Sequence, residues 1–373
     1  MPKLLYFVTE DWSVVSHFLP MVRTAVAAGF EVVVATRVRE HKARIEAEGC
    51  RVVSLENERS SLLSLETFRG FARIWRIIGN ERPDIVHCLS LRLVILGGIA
   101  ARLRGVKWLV LAPIGLGHLW LENNLIEDAM RALSRVIIGK WLNGPRTRYL
   151  FENTEDPAEF GLEAGKPPVT IVPGAGVDPK DFPRSPEPTA PPLKVAVVAR
   201  MIEAKGIADA VVAVRRAREL GAPVELDLYG VPDPSNRRSC TQDELRRWSA
   251  EPGINWHGAT DDIPGVWRTH HVAMLLTWYR EGVPRALIEA AASGRPILTT
   301  NAQGLRDLVR HGREGILVPL RDTEAAAHAL VELAADADLR ARLGAAAHAR
   351  FQERFTEAEV RRAVASAYTG LQV

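Results

Sequence analysis

Glu281 and Glu289 stand eight residues apart, and Glu289 falls in the run Ala286-Leu287-Ile288-Glu289-Ala290-Ala291-Ala292. A carboxylate on so apolar a segment is costly to bury unless it is paired or hydrogen-bonded. Two readings follow. Either Glu289 faces water on a surface helix, or the two glutamates accept hydrogen bonds from a polyhydroxylated ligand beside a helix N-terminus that supplies N–H groups. A second set is cationic. Arg200 and Lys205 follow an apolar run at 193–199, and a helix is expected from about 207 to 220. Two cations at a strand end, opening into a helix N-terminus, suit a diphosphate. Fixed cations stabilise the charge that develops on a departing diphosphate more in the transition state than in the ground state. As a plain surface pair they would carry no such task.

The elements that position these residues read as strand, loop and helix. Met274-Leu275-Leu276 is a buried strand, Pro284 suits the first helical position, Gly294 a left-handed C-cap, and Pro296 forbids continuation. The glutamates therefore sit at the carboxyl end of a strand, where open α/β sheets bind ligands. Further strands are expected at 4–9, 31–36, 51–55, 84–88, 107–111 and 149–152, with helices over 17–28 and 62–79. This alternation argues a parallel, doubly wound sheet. Residues 10–13 read as a polar loop before the first helix. His17 either binds an anion or sugar hydroxyl or caps that helix. Gly115, Gly117 and His118 follow the fifth strand. His118 is either a ligand contact or a loop histidine with no chemical task, and His87 reads as a satisfied core histidine. Residues 126–142 form an amphipathic helix with Met130, Leu133, Ile137 and Trp141 at helical spacing among Arg131, Arg135 and Lys140. It either lies on an anionic bilayer or holds a lipid diphosphate, or it packs on its own domain.

In the second half, strands are expected at 224–229, ending in Gly230, and at 254–258. Residues 312–319 look like a closing hairpin, and the chain is helical from 323. Proline gathers at 183, 186, 188, 191 and 192, the composition of a stiff linker. The expected domains are 1–182 and 183–355, with a last helix at 356–373.

With 373 residues, 47% hydrophobic, 25% charged and a net charge of +3, the chain suits two soluble α/β domains. The charge favours anionic ligands and is too small to argue for nucleic acid. Three scattered cysteines give neither a disulfide framework nor zinc spacing and suit a reducing cytoplasm. The N-terminal apolar run is too short for a signal peptide, and no apolar run of membrane-spanning length is present. The first loop lacks G-x-G-x-x-G, against a dinucleotide enzyme.

Glu281, Gly282, Pro284, Glu289-Ala290, Gly294 and Pro296, at their spacings, resemble the Glu-x7-Glu element of family-4 retaining glycosyltransferases of the GT-B fold. The resemblance extends to Gly174-Ala175-Gly176-Val177-Asp178 at the domain junction and to Arg200 and Lys205 as a donor-phosphate pair. It implies two Rossmann-like domains facing across a cleft and sugar transfer from a nucleoside diphosphate sugar. The similarity is greatest to bacterial enzymes extending polyprenyl-diphosphate-linked glycans from UDP-sugars, at the cytoplasmic face of the membrane. It places Arg200, Lys205, Glu281 and His118 in the chemistry. Gly282, Val283, Glu289, Gly230 and Gly304 fall on the donor, and Trp12, His17 and His118 on the acceptor side. No metal or other cofactor is implied. Where relatives carry glycines in the first loop this chain has Trp12-Ser13 and Ser16-His17, which leaves a backbone phosphate contact there unsupported. The rival readings are a nucleotide-sugar epimerase of the same fold and a non-catalytic nucleotide-sugar-binding protein.

Overall fold

The computed structural model describes residues 1–56, 65–120, 124–234, 236 and 238–371. The expected helix start at 62 therefore lies outside the described residues. The chain divides into two compact units: 1–176 with 280–282 and 357–373, and 177–279 with 283–356.

The first unit is built on seven parallel strands: β1 Lys3–Glu10, β2 Glu31–Arg37, β3 Arg51–Ser54, β4 Ile85–Leu89, β5 Trp108–Ala112, β6 Thr147–Phe151 and β7 Val169–Ile171. Their spatial order is β3-β2-β1-β4-β5-β6-β7, so the winding reverses between β1 and β4. Along β1 the side chains alternate between two cores. Leu4, Tyr6 and Val8 enter one, Leu5 and Phe7 the other. Helices cover both faces, which is why these parallel strands read as unbroken apolar runs. β7 and the helix Leu91–Leu103 went unread in the sequence. Residues 10–13 are not a loop. Helix Asp11–Ser13 runs on through a π-helical turn, Val14–Phe18, into Leu19–Ala27. Buried Asp11 holds that start: its carboxylate accepts the N–H groups of Trp12 (2.8 Å), Arg39 (2.6 Å) and His41 (3.0 Å). Burial alone would raise its pKa, but the three N–H groups outweigh burial and hold it below the usual range.

The last helix, Glu357–Tyr368, packs within this unit. The Tyr6 hydroxyl donates to the Met21 carbonyl at 3.0 Å and meets the Tyr368 hydroxyl at 2.5 Å. His87 Nδ1 lies 2.8 Å from that same hydroxyl. With the Tyr6 proton committed, Tyr368 donates to Tyr6 and His87 Nδ1–H donates to Tyr368. Burial depresses the His87 pKa to about 3, so the ring is neutral. Its Nε2 has no hydrogen-bond partner among the described residues, so the core histidine is satisfied at one nitrogen only. Tyr368→Phe breaks this relay in a dry core and is expected to cost about 1–3 kcal/mol. A chemical-denaturation midpoint unchanged from wild type would refute it.

The second unit is built on β8 Leu193–Val198, β9 Val224–Tyr229, β10 Ile254–Gly258, β11 Val272–Leu275, β12 Ile297–Thr300 and β13 Gly315–Val318. The order is β10-β9-β8-β11-β12-β13, reversing between β8 and β11. Residues 312–319 are not a hairpin: β13 pairs parallel with β12. Pro284 is the N-cap of helix Arg285–Ala292, with extended ψ of 123°, and not its first residue. The helix stops as the sequence implies, with Gly294 left-handed at φ 78°.

Candidate functional site

In open parallel sheets ligands bind at the carboxyl ends of the strands, beside the reversal in strand order. In the second unit that edge carries Arg200 and the Lys205 turn after β8, Gly230 after β9, helix Arg285–Ala292 after β11 and Gly304 after β12. Arg200 is half-buried, and its Nη1 lies 2.6 Å from Asp233. Lys205, also half-buried, closes the 3₁₀ turn Glu203–Lys205, which hands over through Gly206 to helix Ile207–Glu219. The turn is pinned to the end of β11. Thr277 Oγ1 donates to the Ala204 carbonyl at 2.9 Å, and the Trp278 N–H reaches the same oxygen at 3.1 Å. Gly206 is left-handed at φ 70°, and a Cβ there would lie 2.0 Å from the Leu276 carbonyl oxygen. Backbone touches backbone at that point, so the cation is carried on a rigid support.

Gly230 serves the same end. Its φ is 142°, a Cβ would lie 1.8 Å from the Ala199 carbonyl oxygen, and its N–H donates to Gly258 at 2.7 Å. Gly304, at φ 82°, is the N-cap of the short helix Leu305–Leu308. Val283 is buried. Glu289 is buried too, which removes the reading of a surface glutamate in water. Arg285 Nε lies 2.6 Å from its Oε1. Burial pushes the Glu289 carboxyl above its usual range, against the pull of Arg285.

Glu281 and Gly282 group with the first unit, whereas Glu289 belongs to the second. Glu281 is half-buried and Gly282 buried. A Cβ at Gly282 would fall 1.6 Å from Glu152 Oε2. The preceding Arg280 is the anchor. Its guanidinium reaches Glu159 Oε1 at 3.0 Å and Asp156 Oδ1 at 3.2 Å, and its carbonyl accepts the Gly117 N–H at 3.3 Å. Sequence reasoning missed this network, because the adjacency of Arg280 to Glu281 does not name its distant acids. Burial alone would raise the Glu159 pKa, but hydrogen bonds from Arg135, Trp120 and Arg280 overcome that and hold it at about 2. A depressed carboxylate stabilises the fold above its unfolded pKa and loses that contribution as pH falls through the folded value. Thermal stability is therefore expected to fall between about pH 4.3 and pH 2, and less steeply in Glu159→Gln. Parallel pH profiles for the two proteins would contradict this.

Trp12 is exposed and His17 half-buried, inside the helical run rather than at its cap. His17 Nδ1 lies 2.6 Å from Ser16 Oγ. His118 lies in the turn Gly117–Trp120, and its side chain is outside the described residues. Among the described residues no group of three or more His, Cys, Asp or Glu is placed to hold a metal ion, and no helix is long and apolar enough to cross a membrane.

Each unit matches a family model. Residues 3–142 match "Glycosyl transferase 4-like" and residues 192–336 match "Glycosyl transferases group 1". The chain belongs to these glycosyltransferases. It is 32% identical over 184 residues to the putative colanic acid biosynthesis glycosyltransferase WcaL of Salmonella typhimurium, over 45% of this chain and 43% of that protein. The match thus spans less than half the length of that relative. It is 25% identical over 305 residues to the UDP-Gal:alpha-D-GlcNAc-diphosphoundecaprenol alpha-1,3-galactosyltransferase of Escherichia coli, covering 77% of this chain and 73% of the other. The crystal structure of HepE from Anabaena, in complex with UDP and glucose, superposes with a TM-score of 0.75 at 17% identity, over 99% of this chain and all of that one. At that identity the likeness establishes the shared GT-B fold.

Proposed function

We propose that this protein is a retaining glycosyltransferase that moves a sugar from a UDP-sugar to a polyprenyl-diphosphate-linked glycan in bacterial polysaccharide synthesis. The observation that carries the reading is the Lys205 turn. A cation and a helix N-terminus are presented together at the carboxyl edge of β8, on a support fixed by Gly206 and Thr277. Arg200 and Lys205 hold the diphosphate, Arg200 exchanging Asp233 for phosphate. Glu289 accepts from the ribose hydroxyls and Glu281 from those of the donor sugar. The N–H groups of Gly282 and Val283 add to the anion site, and Gly230 and Gly304 let backbone approach the donor. The leaving phosphate takes the acceptor proton in a front-face attack, with no protein base required. Trp12, His17 and His118 serve the acceptor side. Since cationic side chains meet the departing charge, activity is expected to survive chelation. A relative named for UDP-Gal and a structural neighbour solved with UDP support the choice of UDP.

The test is transfer of labelled sugar from UDP-sugars to a polyprenyl-diphosphate glycan, with the anomeric configuration read by NMR. An isomerised sugar formed from donor alone would favour an epimerase. Donor binding without turnover on any acceptor would favour a binding protein.

The helix Leu125–Val136 supports a lipid-linked acceptor. It buries Arg131 and Ser134 and exposes Leu125 (87%), Ile126 (70%), Leu133 (57%) and Val136 (51%). A helix packed only on its own domain would do the reverse. Exposed Arg135, Lys140 and Arg146 flank the apolar stripe, the pattern of a helix lying on an anionic bilayer. Sedimentation with phosphatidylglycerol vesicles, lost in Leu133→Glu, is the expected outcome; binding equal in both proteins would dismiss the contact.

A further inference from the structure

The second unit holds a cationic cavity at the opposite edge of its sheet. The cavity measures about 370 Å³ and is lined by Arg184, Glu187, His271, Arg295 and Arg340. His271 immediately precedes β11 and Arg295 lies just before β12, so the cavity sits at the amino ends of these strands. The Lys205 turn meets β11 at its carboxyl end, about 13 Å away along a four-residue strand.

The charges here do not balance. Arg295 is buried, with Nε on the Trp267 carbonyl (2.7 Å) and Nη2 on the carbonyls of Ser185 (3.1 Å) and Pro186 (2.8 Å). Those acceptors satisfy hydrogen bonds without neutralising charge. Arg340 is also buried, and donates to the Leu333 carbonyl at 2.6 Å and to Glu187. Arg184 is exposed at the mouth. Its stem runs over Gly294, where a Cβ would lie 3.1 Å from Arg184 Cγ. His271 adds no charge: its Nδ1 accepts the Lys194 N–H at 2.9 Å, which leaves the proton on Nε2, facing the Pro188 carbonyl at 3.1 Å. Among the lining residues three guanidinium groups thus share one carboxylate, Glu187. Burial depresses the Arg295 pKa; Glu187 pulls it back up and Arg184 pushes it down again. Buried cations in excess of their acids are costly unless an anion completes the site, and guanidinium forks match the geometry of phosphate oxygens.

We propose that this cavity is a second ligand site, which takes the phosphate group of a phosphate-bearing ligand on Arg184, Arg295 and Arg340. It is independent of the donor reading and uses none of its residues. The bound oxyanion supplies the negative charge that Glu187, bonded to Arg340, does not provide for all three guanidinium groups. It also ties down residues 184–188, the segment that leads into β8.

Thermal unfolding with rising inorganic phosphate, at ionic strength held constant with chloride, tests this on the full chain. Wild type is expected to show a saturating rise in Tm. Arg184→Glu, at an exposed position, should raise the apparent Kd at least tenfold. Glu187→Gln removes the competing carboxylate and should lower it. Lys205→Ala should leave the response intact, which separates this cavity from a phosphate effect at the donor site. A rise that does not saturate, or equals wild type in Arg184→Glu, would overturn the proposal, as would a response lost in Lys205→Ala and kept in Arg184→Glu.

Discussion

Lys205→Ala is expected to lower kcat/KM for sugar transfer by about 10²–10³-fold, the range for removing one preorganised group from a developing anion. The effect should fall mainly on kcat, because the diphosphate gains charge as the glycosidic bond breaks and the cation matters more there than in the bound donor. Lys205 suits that task because its turn is tied backbone to backbone to the end of β11. Gly206 closes on Leu276, and Ala204 accepts from both Thr277 and Trp278. Arg200→Ala should cost less, about tenfold, since Asp233 already offsets part of its charge at 2.6 Å. Asp233→Asn removes that competing carboxylate and should lower the KM for donor. Steady-state kinetics with varied donor decide the matter. A Lys205→Ala enzyme within threefold of wild type would place the diphosphate elsewhere.

The central parallel strands were legible because they are apolar runs with both faces covered, as in the run 193–199 and the triplet Met274-Leu275-Leu276, whereas the edge strands β3 and β10 mix buried and exposed residues. Cap chemistry was legible at Gly294, whose φ of 78° admits glycine with little strain. The start of the first helix was not. Polar Glu10-Asp11-Trp12-Ser13 has the composition of a loop, and only the N–H groups of Arg39 and His41, supplied from beyond β2, let Asp11 be buried inside a helix. Charge pairing at the site also went unread, both near in the chain and far from it. The sequence offered Glu289 as costly to bury, and the structure shows the partner, Arg285, one helical turn away. Arg280 looked like a neighbour of Glu281 and proved to be tied to Asp156 and Glu159. Pattern reports which face of an element is dry. It does not report which acid and which base, far apart in the chain, settle each other's charge.

Gly206→Ala is expected to be strongly damaging, to the fold and to turnover together. An alanine held at φ 70° pays about 1–2 kcal/mol for the left-handed backbone. Its Cβ would lie 2.0 Å from the Leu276 carbonyl oxygen, and that oxygen belongs to backbone at the end of β11, which cannot swing aside as a side chain can. Overpacking of this kind adds about 1–3 kcal/mol. The total, about 2–5 kcal/mol, predicts a Tm lower by about 5–15 °C for a unit of this size. Gly221→Ala is the matched control. Gly221 has φ 91° with nothing within 4 Å of a built Cβ, so it carries the backbone strain without the collision. The difference between the two variants therefore measures the close approach of the Lys205 turn to β11. Relief of the collision must push that turn outward and carry Lys205 with it. At a temperature where both variants are folded, kcat should fall at least tenfold in Gly206→Ala and stay near wild type in Gly221→Ala. Equal losses at the two glycines, in stability and in turnover alike, would mean that the contact with Leu276 does not position the cation.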